Sequence, residues 1–98
     1  MKIKTGQFGS GLPNTDWKLN EGVGDRAFRQ HIDFGESFAE VPAIVLGITY
    51  LESTVAPVRV AVEAKNVSTR GFDVDIRTWL DTHVWSCGGF WMAYTYTT

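Results

Sequence analysis

Apolar residues recur at every second position in short runs along this chain, while the three-and-four spacing of an amphipathic helix is weak. In "PVRVAVEAK", Val58, Val60 and Val62 share one parity, and Arg59, Glu63 and Lys65 share the other. In "GFDVDIRTW", Phe72, Val74 and Ile76 take the inward parity, and Asp73, Asp75, Arg77 and Trp79 the outward one. Val, Ile, Thr and aromatic residues fill these runs, and Gly, Pro, Asn, Asp and Ser separate them. The pattern predicts strands near 2–5, 28–35, 43–51, 57–66, 71–79 and 88–95. Nothing between them is long and helical enough for a parallel crossover. The expected fold class is therefore all-β, a six-stranded antiparallel β-sandwich.

The turn "NVSTRG" joins two of these strands as a hairpin. Arg59 opens the first and Trp79 closes the second, so both fall at one end of the sandwich, on the polar parity. Trp79 is then not a core tryptophan. It and Trp85 flank Leu80-Asp81-Thr82-His83, which reads as a loop. The run "AIVLGITYL" is apolar on both parities, so something must cover its outer face. A chain this short has few loops to spare, which favours cover by another copy of the chain.

At 98 residues the expected organisation is one domain, 1–98, with a modest core. A net charge of −2 with scattered Lys and Arg argues against a nucleic-acid partner. No apolar run is long enough to span a bilayer, so no membrane insertion is expected. The opening "MKIKTGQFGSG" lacks a signal-peptide pattern. Localisation stays unknown, open between a mature secreted chain and a cytoplasmic one. The single cysteine, Cys87, excludes an internal disulfide and any Cys-based zinc site, and its apolar surroundings predict a buried free thiol. His31 and His83 lack ligand-like neighbours, so no metal or other cofactor is expected. Asn66-Val67-Ser68 matches the glycosylation sequon, which matters only in a secreted chain.

An exposed Trp near an Arg, with a Gly-rich acidic loop elsewhere, suits a sugar site. A pyranose packs its C–H face on an indole, and its hydroxyls need directed donors and acceptors, which Arg and Asp supply. The acidic loop is "GVGD", Gly22 to Asp25, where glycine lets the backbone approach a ligand. An Asx-turn at Asp25 and a solvated Arg59 are the plain structural alternatives.

The ordered set of an "F" strand, "P-x-I-V-x-G-I-T", "R-V", "N-V-S-x-x-G-F-x-V", "T-W" and "W-M-A" covers residues 28–95 without large gaps. In this the chain resembles the H-type lectin family, which includes snail agglutinins and the carboxy-terminal domain of slime-mould discoidins. The resemblance is looser over "TGQFGSG" and "DWKLNEGVGD". It implies a six-stranded sandwich that assembles as a trimer or hexamer. It also implies metal-free, multivalent binding of terminal galactose or N-acetylgalactosamine on glycans, near subunit interfaces. By position it assigns Arg59 and Asp25 to the axial hydroxyl of the sugar, beside Gly24. Trp79 becomes an apolar wall, and Trp85 a second aromatic.

Two departures bear on specificity and folding. The snail lectins carry a His after the "T-W" Trp, which helps hold the acetamido group. Leu80 stands there, so plain galactose competes with N-acetylgalactosamine, and His83 is the residue that could take over a polar role. The snail disulfide positions correspond to about Ala39 and Ile76, so a reducing site of folding is permitted.

Two other readings compete. Asp73 and Asp75, alternate on one strand face, invite a glycosidase, but no cleft is evident and a solvated face explains them better, so no enzyme is expected. The second is a non-sugar-binding, oligomeric adhesion or protein-interaction sandwich, with Trp79 and Trp85 as interface anchors.

Overall fold

The computed structural model describes residues 1–54 and 57–96. Strands follow as β1 (Lys2–Gly11), β2 (Arg26–Asp33), β3 (Ala43–Ser53), β4 (Ala61–Lys65), β5 (Gly71–Thr78) and β6 (Val84–Thr95). They form two three-stranded antiparallel sheets, ordered β1-β6-β3 and β2-β5-β4. No helix occurs among the described residues. The all-β antiparallel sandwich expected from the alternation is the fold.

The core follows the parity of β5. Phe72, Val74 and Ile76 are fully buried, and Phe8, Cys87, Trp91 and Ala93 are buried with them from the other sheet. Loops add Trp17, Leu19, Phe34 and Phe38. Phe34 lies 5.8 Å from Phe72 and 5.7 Å from Trp91, ring centre to ring centre, while Phe38 meets Phe34 edge-on at 5.1 Å. Such offset and edge geometries suit aromatic quadrupoles. Burial pushes the Cys87 thiol up to about 11, so at neutral pH it is a small apolar core group, as its neighbours in the sequence predicted.

Several strand bounds differ from the sequence expectation. β1 runs to Gly11 rather than ending at residue 5, because its glycines are slots, not breakers. A Cβ on Gly6 would fall 2.6 Å from the Trp91 indole, and one on Gly9 would meet the Tyr50 hydroxyl. β6 starts at Val84 instead of 88, which makes Trp85 a strand residue. β2 is shifted two residues toward the N-terminus of its expected span: Gly35, at φ 79°, turns the chain, and Asp33 Oδ1 accepts its N–H at 2.7 Å. β4 is shorter than the expected 57–66, and Val58 is exposed instead of inward; only Val60 and Val62 of that trio pack against the core. Residues 57–59 leave the ladder and are tied by side chains, with Thr82 donating to the Pro57 carbonyl and Thr78 to that of Arg59.

The outward parity of β5 is not simply a solvated face. Cross-strand registry sets Arg29 opposite Asp75, and His31 opposite Asp73. Arg29 donates to both carboxylate oxygens of Asp75, at 2.6 and 2.9 Å. Asp73 accepts from Asn66 and from His31 Nδ1, each at 2.8 Å. These are opposite-charge and hydrogen-bonded cross-strand pairs of the kind that hold a sheet in register.

β3 is apolar on both sides for a visible reason. Ile44 and Leu46 pack against the core, whereas Val45 lies outward in one row with Met92 and Thr5. A register shift follows between Ile48 and Tyr50, and Ile48, Tyr50 and Leu51 around it are exposed. Ile3, Val45, Tyr50 and Phe90 leave the β1-β6-β3 sheet with an apolar outer surface in the single chain.

Candidate functional site

The loops at one end of the sandwich carry most of the predicted site. Arg59 is held at the end of β5 by the Thr78 hydroxyl, which donates to its carbonyl at 2.6 Å, next to Trp79 in the chain. The loop before β2 is drawn to the same end by Trp17, whose indole N–H donates to the Val84 carbonyl at 2.8 Å, and by Val84, whose N–H donates to Leu19. Both Trp17 and Leu19 are buried, so the loop is anchored by packing as well as by hydrogen bonds.

The glycine loop is clamped to the loop between β5 and β6. Gly24 N–H donates to the Leu80 carbonyl at 2.8 Å. Arg26 then donates from Nε to Gly24, from Nη1 to Glu21 and from Nη2 to Leu80, all to carbonyl oxygens within 2.9 Å. His83 Nε2 lies 3.0 Å from the Gly22 carbonyl. A carbonyl only accepts, so this contact requires the proton on Nε2. Positive φ at Gly22 and Gly24 lets the loop curl, and Leu80 itself sits at φ 56°, uncommon for a side chain of its shape. Its carbonyl, which accepts from both Gly24 and Arg26, is what holds it there.

These contacts shape an open hollow of about 510 Å³ lined by Val23, Gly24, Arg59, Leu80 and Asp81. Within it Arg59 Nη1 donates to Asp81 Oδ1 at 2.9 Å and to Thr82 Oγ1 at 3.1 Å. Val23 and Leu80 supply exposed apolar surface beside this charged pair. The hollow therefore offers an apolar lip, a cation and a carboxylate in one place, the combination a small polyol with a C–H face requires.

Gly24, Arg59 and Leu80 of the predicted set are thus brought together. Asp25 is exposed and does not line the hollow. Trp79 and Trp85 are half-buried at this end, outside the core cluster and outside the lining. His83 is engaged with the glycine loop. Sequence reasoning missed Asp81 and Arg26. An Asp in a loop carries no local signal, and Arg26 lay two residues before the expected strand, where the only clue was the glycine-rich loop just ahead of it.

Asp73 and Asp75 lie on the outer face of the β2-β5-β4 sheet, apart from this hollow. Hydrogen bonds from Asn66 and His31 hold the Asp73 carboxyl below the usual range, and the Arg29 hydrogen bond does the same for Asp75. A glycosidase's general acid is held above that range, and neither of these carboxyls is.

A two-sheet sandwich with a loop-end hollow of this kind defines a binding domain. Residues 29–94 match the model of the H-type lectin domain, and the chain belongs to that family. It is 31% identical over 77 residues to discoidin-1 of Dictyostelium discoideum, covering 76% of this chain and 30% of the discoidin. It is 29% identical over 73 residues to the Fuscovulum blasticum protein called ATP synthase subunits region ORF 7, covering 74% of this chain and 64% of that one. The solved structure of recombinant discoidin II of Dictyostelium discoideum superposes with a TM-score of 0.83 at 24% identity, over 94% of this chain and 36% of the discoidin. The chain thus spans about a third of the discoidins, and less than two thirds of the Fuscovulum blasticum protein. Family membership sets it among the lectins, and the likeness to discoidin II shows the shared fold.

Proposed function

We propose that this protein is a metal-independent lectin that binds terminal galactose or N-acetylgalactosamine on glycoconjugates and does so multivalently as a trimer or hexamer. The observation that carries the reading is the hollow that unites Arg59, Gly24 and Leu80. Strand parity put Arg59 at this end of the sandwich, and the family pattern named it independently. Arg59 donates to ring hydroxyls, the Gly24 backbone admits the sugar closely, and Val23 and Leu80 face its C–H groups. Trp79 and Trp85, half-buried at the same end, supply the larger apolar wall where a neighbouring protomer closes the site. Asp25 at the loop tip is the family's acidic position. His83 acts through the loop it holds.

A monosaccharide of about a dozen heavy atoms, at roughly 0.3 kcal/mol per atom, binds in the millimolar to tens-of-micromolar range. Parallel sites raise that by about 10²–10⁴ on a clustered glycan surface, which is why assembly belongs to the function. An equatorial O4, as in glucose, leaves directed groups unpaired, at a cost of about 1–3 kcal/mol. Calorimetric titration with N-acetylgalactosamine, galactose and glucose is the direct test. Heat with either galacto sugar and none with glucose is expected, with plain galactose at least the equal of its N-acetyl derivative because Leu80 offers no polar group to the acetamide. Silence from all three would overturn the lectin reading.

One observation favours a second reading. The apolar outer surface of the β1-β6-β3 sheet suits an oligomeric adhesion or protein-interaction module even without a sugar, and that silence would bring it forward.

A further inference from the structure

We infer that Asp81, rather than Asp25, is the carboxylate that accepts a sugar hydroxyl in this pocket, and that with Arg59 it selects neutral sugars over acidic ones. The inference rests on the lectin reading above. To read two neighbouring hydroxyls of one ring, an acceptor and a donor must lie within a hydroxyl's reach of each other. Asp81 and Arg59 do: both line the hollow, with Oδ1 2.9 Å from Nη1. Asp25 lines no part of it.

The relative exposure of the pair gives the order of contact. The Asp81 side chain is 81% exposed and that of Arg59 23%. An incoming ring therefore meets the carboxylate at the rim and the guanidinium behind it. Thr82 steadies the cation: its hydroxyl donates to the Pro57 carbonyl and so accepts from Arg59 Nη1. Among the described residues, the side-chain bonds of Arg59 run through Nη1 and those of Asp81 through Oδ1. Among these bonds Asp81 Oδ2 keeps its accepting capacity and the other guanidinium N–H groups their donating capacity, in side chains joined at 2.9 Å. One hydroxyl donates to Oδ2 and its neighbour accepts from the guanidinium, with no proton transferred.

Charge follows from the same geometry. The pair is neutral overall, so a neutral diol enters without bringing uncompensated charge. A sugar carboxylate attracted to Arg59 must pass Asp81, where like charges repel. Asp81 thus acts as a filter as well as an acceptor. Because it sits on an exposed loop, replacing it with the isosteric amide should leave the fold intact.

The test is titration of the wild-type protein, Asp81→Asn and Asp25→Asn with galactose and with galacturonic acid, each variant first checked for an unchanged thermal unfolding midpoint. Asp81→Asn is expected to weaken galactose binding roughly tenfold or more, to raise galacturonate binding relative to galactose, and to lose more galactose affinity than Asp25→Asn does. A galactose loss in Asp25→Asn equal to or greater than that in Asp81→Asn overturns the assignment, as does tighter galactose binding by Asp81→Asn. In either case the lectin reading survives. Wild-type protein that binds galacturonate as well as galactose overturns the filter. Wild-type protein that binds no sugar at all overturns the lectin reading, and this assignment with it.

Discussion

At the scale of single residues, Arg59 is the most demanding position in the molecule. Its guanidinium is largely covered, yet its partners are a rim carboxylate and a hydroxyl, so it is held without being sealed off. Arg59→Ala removes an ion pair to an exposed acid, worth about 0–1 kcal/mol, together with the hydrogen bond to Thr82, so the unfolding midpoint should fall only modestly and the protein should still fold. Galactose binding should fall below detection by calorimetry, because the hollow's lining loses its cation. A variant that keeps full galactose affinity would remove Arg59 from the site. Arg59, Gly24 and Leu80 were legible because parity, glycine and family pattern each leave a mark in the sequence. Asp81 and Arg26 were not. What distinguishes them is which loop faces which, and that depends on Trp17 and Leu19 packing far from Asp81 in sequence.

At the scale of elements, alternation identified every strand but misplaced their ends wherever glycine was read as punctuation. Gly47 sits beneath the Phe90 ring and Gly88 beneath Tyr50, so these glycines make room for aromatic cross-strand neighbours inside continuous strands. The sequence alone cannot separate such a slot from a turn, because the partner strand is what makes the difference. The same holds for the charged face of β5, which looked solvated until β2 supplied Arg29 and His31. That face makes a pH prediction. Asp73 and Asp75 are held below the usual carboxylate range when folded, so their contribution is fully present above that range. It fades as acid protonates them through their lowered folded values. Stability should therefore decline with acidification from about pH 5 downward. Asp75→Asn should lie well below wild type in urea midpoint at pH 7 and converge on it in acid. Parallel midpoint curves across that range would mean the Arg29–Asp75 pair does not couple to folding.

At the scale of the whole molecule, the two sheets have opposite outer surfaces, and only one of them is finished. The β2-β5-β4 surface is knit by charge pairs that are content in water. The β1-β6-β3 surface carries Ile3, Val45, Tyr50 and Phe90 in the open, next to Met92 and Tyr94. Burying such a surface against copies of itself would be driven by the hydrophobic effect, and it would bring several weak sugar sites into one rigid array. Val45 is the cleanest handle, since its side chain is outward and 42% exposed, so a charge there disturbs no core packing. Val45→Glu should sediment as a monomer that still unfolds cooperatively, whereas the wild type is expected to sediment as a trimer or hexamer at micromolar concentration. If Trp79 and Trp85 close the site from a neighbour, the variant should lose affinity for free galactose in solution as well as avidity on a galactose-coated surface. If each chain holds the sugar alone, only the surface avidity should fall, by about 10²–10⁴. A wild-type protein that sediments as a monomer would sever the function from assembly, and Val45 would then be one of the scattered exposed apolar residues common on single chains.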